Sequence, residues 1–352
     1  MIHRIRLLAL MGLYVLAASA WVNPVPAEEN NRAHPRFLTQ AKSYDFKDFT
    51  RVVEDEGVFL HDGEGRRMFQ CLTGRGFTPD NVRIDRKRGL ILRATVTGKG
   101  EPGTQVPPEH THGGGVMTGK HYSGEFSFWS FAPDPPTNYV RVDIYATIPR
   151  PLGAKLAVWS FADDWYEGGG SLISMEMDMI EAGGHPKEWI DGSRDGLFKY
   201  HPNIHSWFGG GSPWGHKSVQ HMEPKTLDFG PEEKEHKLSW EWENGPTREE
   251  KVLRYLIDDQ VVYKRSVAEM KEKHPVLNRG GKKGVECTLS AREIADFMWD
   301  KPQNLQIWYG ADRDFFLSGV PQYGDAWPSE MTVRRMDVYR SRKATLHVND
   351  SH

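Results

Sequence analysis

Ser171-Leu172-Ile173-Ser174-Met175-Glu176-Met177-Asp178-Met179-Ile180-Glu181-Ala182-Gly183-Gly184 sets three carboxylates among leucine, isoleucine and methionine. The apolar neighbours predict a strand with a buried face, because side chains two apart on a strand point the same way. Glu176 and Asp178 therefore share a face. Strict alternation sends Glu181 to the other one. One extra residue at Met179-Ile180 brings it back, and a β-bulge is such an insertion, common beside active sites. A solvated strand face with scattered acids is the alternative, and few such faces read Met-Glu-Met-Asp-Met-Ile.

Outward from this strand the chain reads as short strands separated by turn signals. Val82-Arg83-Ile84-Asp85, a turn at Arg86-Lys87-Arg88-Gly89, and Leu90-Ile91-Leu92-Arg93-Ala94 form a hairpin. Further strands are predicted at about 121–131, 138–148, 154–162, 172–181, 203–208, 236–243, 252–258, 260–265, 303–309 and 331–341. Residues 98–115, rich in Gly, Pro and His, read as a long loop. Ser266 with Glu269 and Ser290 with Glu293 fit capping boxes and predict two short helices. Many strands with little helix indicate an all-β sandwich or jelly roll.

The 352 residues, 38% apolar and 11% aromatic, are enough for one large domain with a sizeable core. A net charge of −3 gives no global field for nucleic acid. The basic run Asn278-Arg279-Gly280-Gly281-Lys282-Lys283 reads as a solvated loop or as a contact for an anionic sugar. Twelve tryptophans suit sugar-stacking surfaces as well as core packing. Arg4 and Arg6, the apolar run Leu7–Ala18 and the small residues Ala18-Ser19-Ala20 compose a secretory signal peptide within residues 1–27, cleaved after Ala20 or Ala27. Residues 28–40 read as a polar leader, 41–343 as the folded domain and 344–352 as a tail. Secretion or periplasmic export is the expected address, with no membrane or lipid anchor after cleavage. Export permits a disulfide between Cys71 and Cys287, and two buried free thiols are the equal alternative.

The catalytic-looking strand resembles that of glycoside hydrolase family 16, whose bulged form reads Glu-x-Asp-x-x-Glu. The resemblance continues at Tyr122-Ser123-Gly124, at Asn138–Ile144, at Gly153 with Ala157-Val158-Trp159, at His236–Trp242, at Tyr255–Asp258 and at Met331–Tyr339. It spans roughly residues 45–340 and implies a jelly roll of two curved antiparallel sheets with a concave substrate cleft. It also implies Glu176 as nucleophile and Glu181 as general acid/base, with Asp178 sharing a proton or hydrogen bond with Glu176. Trp159 is expected on the cleft floor, and His205 and Trp207 beside the cleft as sugar contacts. Two departures stand out. Arg141-Val142-Asp143 reverses the family's usual Glu-x-Arg order, and Gly168-Gly169-Gly170-Ser171 replaces a segment typical of laminarin-cleaving members. The second points toward algal galactans.

The expected activity is that of a secreted, monomeric, endo-acting retaining glycosidase on a β-linked polysaccharide: agar, porphyran, carrageenan or β-1,3-glucan. Retaining enzymes hold their two carboxyl groups about 5–5.5 Å apart, and close carboxyls titrate apart so that one attacks while another donates. A transglycosylase uses the same groups with a sugar acceptor, and a lectin-like jelly roll should have lost Glu176 or Glu181. No cofactor is required, and a structural calcium is compatible with the family. His110-Thr111-His112 has metal-like spacing, but its Gly- and Pro-rich surroundings favour a loop.

Overall fold

The computed structural model describes residues 38–74, 76–118, 139–149, 153–166, 171–183, 197–200, 202–208, 216–219, 225–228, 233–270, 289–299, 301, 303–311, 321–324 and 327–341. All lie in one compact unit, Phe37–His352. Several expectations fall outside these residues: the signal peptide, the strand at 121–131 with Tyr122-Ser123-Gly124, the glycine run 168–170, the basic run 278–283, Cys287 and the tail.

In chain order the first strands are β1 (Leu38–Asp45), β2 (Thr50–Glu54), β3 (Gly57–His61), β4 (Arg67–Cys71), β5 (Val82–Asp85), β6 (Gly89–Val96) and β7 (Thr111–Met117). Then come β8 (Tyr139–Thr147), β9 (Ala154–Tyr166), β10 (Ser171–Gly183), β11 (Leu197–Tyr200), β12 (Asn203–Phe208), β13 (His216–Val219) and β14 (Lys225–Asp228). The chain closes with β15 (Glu235–Glu243), β16 (Val252–Ile257), β17 (Gln260–Ser266), helix α1 (Ala291–Met298), β18 (Asn304–Ala311) and β19 (Ser329–Ser341).

Every pairing among the described strands is antiparallel, and these strands form two layers joined where β6 meets β7. In one layer β19 carries β1 and β6 on one edge and β8 on the other, and β15, β16 and β17 continue outward from β8. The other layer runs β2, β3, β4, β7, β18, β9, β10, β12, β13. This is the expected all-β jelly-roll sandwich.

Alternation along the strands builds the core between the layers. On β8, Val140, Val142, Ile144 and Ala146 enter it, and on β9, Leu156, Val158 and Ala162 do. From β10 come Met175, Met177, Met179, Ile180 and Ala182. Fully burying one of these valine, leucine, isoleucine or methionine side chains is worth about 1.5–3 kcal/mol, so this pattern fixes the strand's facing.

The polar residues of β8 face outward. Arg141 Nε donates to Asp143 Oδ1 at 2.6 Å, and its other nitrogens reach Glu241, Ser239 and Asp259. The reversed charge order thus still makes an ion pair, on the layer that does not carry the three carboxylates. Asp258 and Asp259 form the β16–β17 turn with φ of 49° and 66°, the left-handed pair such a hairpin needs.

Three expectations need correction. β1 begins at Leu38, inside the stretch read as leader, because Leu38–Gln40 pair with Tyr339–Ser341. Residues 111–117 are strand rather than loop. The glycines that suggested a loop serve close backbone approach instead: a Cβ on Gly113 would lie 2.9 Å from the Gly310 Cα, and one on Gly114 would lie 2.2 Å from the Asn81 carbonyl oxygen. The two capping boxes also part company. Ser290 and Glu293 cap α1, whereas Ser266 and Glu269 exchange the same bonds over a turn, with no helix at Val267–Met270.

Candidate active site

The register between β10 and β9 pairs Asp178 with Trp159 and then skips to Ile180 with Val158. Met179 is the extra residue. Met179 and Ile180 are consecutive, yet both are buried in the core. Beyond them the alternation resumes with Glu181 opposite Ala157. The bulge expected from the sequence is therefore present, and it brings Glu181 to the face of Glu176 and Asp178, turned away from the core.

Cross-strand pairing fills in the rest of that face. Glu176 lies between Phe161 on β9 and His205 on β12, and Asp178 lies between Trp159 and Asn203. On β18, Asn304 pairs with Phe161, Gln306 with Trp159 and Trp308 with Ala157. The Glu176 and Glu181 side chains are 19% and 20% exposed, whereas Asp178 is 7% exposed. The two outer carboxyls are reachable and the middle one is nearly covered.

His205 is the centre of the carboxylate contacts. Its Nε2 lies 2.9 Å from Asp178 Oδ2 and 3.8 Å from Glu176 Oε1. Ligand atoms of Glu176, Asp178 and His205 all fall within 4.8 Å of one another, a spacing that a hydrogen-bonded proton network and a small cation can both use. Glu181 has different neighbours. Asn203 Nδ2 donates to its Oε2 at 3.3 Å, and Lys155 Nζ lies 3.7 Å from its Oε1. The three carboxyls thus have distinct surroundings.

Aromatic rings pave the face beside them. Trp159, Phe161, Ala157 and Trp308 form a cluster separate from the main core. Trp159 meets Trp308 edge-on at 5.5 Å and Phe161 at 6.2 Å, and Phe77 meets Trp308 at 5.0 Å. Trp159 is only 7% exposed, so it is a packed floor residue more than an open platform. Trp207 pairs with Ser174, and its side chain lies outside the described residues. His110 and His112 contact hydroxyls rather than one another: His110 Nδ1 lies 2.6 Å from Tyr323 Oη, and His112 Nε2 lies 3.2 Å from Thr97 Oγ1.

No family model and no curated protein matches the sequence. Solved structures do. The laminarinase catalytic domain of Thermotoga maritima is 14% identical, over 87% of this chain and 99% of that one, with a TM-score of 0.50. A structure reported for endo-acting O-glycanases of human gut microbiota is 14% identical, over 88% and 94%, also at 0.50. A non-specific endo-β-1,3(4)-glucanase from family GH16 is 15% identical over 88% and 94%, at 0.49. The chain has the glycoside hydrolase family 16 fold.

Lys155, Asn203, Asn304, Gln306 and Trp308 share the outer face but were not singled out from the sequence. The signal for most of them was present. On β18 the polar or aromatic Asn304, Gln306 and Trp308 alternate with apolar Leu305 and Ile307, the period of a strand with two differently used faces. On β9 the same period leads back from Trp159 through Ala157 to Lys155.

Proposed function

We propose that this chain is an exported endo-acting glycosidase that cleaves a β-linked polysaccharide with retention of configuration. The observation that carries the reading is the bulge at Met179, which puts Glu176, Asp178 and Glu181 on one outward face of β10. Glu176 serves as nucleophile. Its carboxylate oxygen bonds to the anomeric carbon as the glycosidic bond breaks, and Glu181 gives its proton to the departing oxygen. Water then attacks the anomeric carbon, returning a proton to Glu181 and freeing Glu176. Asp178 and His205 lie beside the nucleophile and are suited to orient it and to stabilise its charge changes.

Trp159, with Phe161 and Trp308 around it, forms an aromatic floor for pyranose rings, and His205 and Trp207 occupy register positions along the same face. The similar solved structure named as a laminarinase supports a glycan substrate, and the departure at Gly168-Gly169-Gly170-Ser171 favours an algal galactan over laminarin. The basic start and apolar run of residues 1–27 support secretion or periplasmic export. No described helix is long and apolar enough to cross a membrane. The protein is proposed to act as a monomer without a cofactor. Incubation with a panel of agar, porphyran, carrageenan and β-1,3-glucan, with proton NMR of the first product, tests the reading. A β-anomer formed first supports it, an α-anomer overturns retention, and no cleavage of any β-glycan overturns the activity.

A further inference from the structure

Lys155 lies on β9 two residues before Ala157 and shares the outer face. Its neighbours in the cross-strand row are Gly183 on β10 and Gly310 on β18, and Gly310 is followed by Gly113 on β7. Three glycines around one lysine leave the row without competing side chains. The lysine stem is 12% exposed, and its Nζ lies 3.7 Å from Glu181 Oε1 and 4.9 Å from the centroid of the Trp308 ring. A ring face attracts a cation at such a distance, more strongly where water is excluded. Asn203 holds the other carboxyl oxygen of Glu181.

The charges around Glu181 oppose one another. On its own strand the carboxyls of Asp178 and Glu176 disfavour a further anion. From β12 come Asn203 and His205, the latter against Asp178. From β18 comes the uncharged Trp308, and from β9 the ammonium of Lys155, which favours the anion. β11 pairs with Ala182 and Gly183 through Tyr200 and Lys199, whose side chains lie outside the described residues.

We propose that Lys155 is a positioning residue for Glu181, holding its carboxyl group in place and stabilising the carboxylate left once the proton has gone to the departing sugar. The proposal rests on Glu181 acting as the general acid/base. A stabilised carboxylate makes Glu181 a stronger acid that is protonated over a narrower pH range. That trade favours poor leaving groups such as a polysaccharide alkoxide. Lys155 therefore sets the basic limb of the pH profile, where the general acid loses its proton.

The test compares wild type with Lys155→Met, Lys155→Gln and Lys155→Arg. A neighbouring opposite charge moves a carboxyl by about 1–3 pH units, and partial exposure places this case at the low end. The basic limb of kcat/KM is expected to rise by about one pH unit in Lys155→Met and Lys155→Gln and to stay near wild type in Lys155→Arg. Carbon-13 NMR of labelled glutamate, with the Glu181 signal assigned by its loss in Glu181→Gln, reads the same titration without any turnover. Either neutral variant, shown folded by its thermal transition, suffices. A basic limb and a Glu181 titration that both stay in place overturn the proposal. A Glu181 titration that rises in an enzyme cleaving no glycan upholds the Lys155–Glu181 coupling and overturns the glycosidase reading instead.

Discussion

Trp159 is packed into the face beside the carboxylates and is also proposed to bind substrate. It pairs with Asp178 in register, and Phe161 and Trp308 pack edge-on against its nearly buried ring. Trp159→Ala is expected to lower stability by about 3–5 kcal/mol, the usual range for truncating a buried tryptophan. It should also raise KM for the polysaccharide by about tenfold or more. Denaturant unfolding and steady-state kinetics separate the two effects, and an unchanged KM would make Trp159 a packing residue only. Cys71 gives a simpler test. It is a buried free thiol, and burial pushes its pKa up to about 12. Only the thiolate reacts, so iodoacetamide should leave Cys71 unmodified in the native protein and alkylate it in denaturant without prior reduction. A requirement for reductant would restore the disulfide alternative.

At the scale of the element, β10 was the most legible part of the chain. Its charged and apolar residues sort onto two faces only if one residue is extra, so the bulge followed from spacing and burial together. The neighbours of Glu181 were less legible, because Lys155 and Asn203 approach it from two other strands and only register brings them there. The glycines of β7 misled for a related reason: a glycine needed for close strand approach looks, in sequence, like one needed for a turn.

The bulge itself can be probed by deletion. Removing Met179 leaves Asp178, Ile180 and Glu181 in regular alternation, so the three carboxyls should stay on one face and some activity should survive. Removing Met177 instead puts Glu176 and Asp178 on opposite faces or forces the strand to slip. Activity should then be lost outright. Equal activity in the two deletions, measured on folded protein, would contradict this account of the strand.

At the scale of the molecule, several carboxylates with hydrogen-bond partners predict its acid limit. Burial alone would raise Asp62, Asp258, Asp259 and Asp296, but hydrogen bonds from neighbouring lysines, arginines and backbone N–H groups more than reverse this and hold all four below the usual range. Glu269 is also held low, chiefly by the Ser266 N–H. A group lowered in the folded state adds stability above its unfolded value, near pH 4, and loses it as pH falls through the lower folded value. The melting temperature should therefore be nearly flat from about pH 5 to 8 and fall steeply below about pH 4. A flat profile down to pH 2 would show that these contacts contribute little.

The two-layer sandwich was legible as a whole because most strands alternate cleanly, whereas the choice among the proposed polysaccharides would rest on loops whose shape strand periodicity does not encode. The central claim is that Glu176 and Glu181 divide a double displacement between them. It is tested most directly by azide rescue of two variants on an activated β-aryl glycoside. Glu181→Ala should be slowed by about 10²–10⁴-fold on polysaccharide but form the glycosyl-enzyme from the aryl glycoside, and added azide should give a β-glycosyl azide. Glu176→Ala should be inactive until azide takes the place of the missing carboxylate, giving the α-glycosyl azide. That pairing of products is the predicted result, and the opposite pairing would show that the two glutamates have each other's roles.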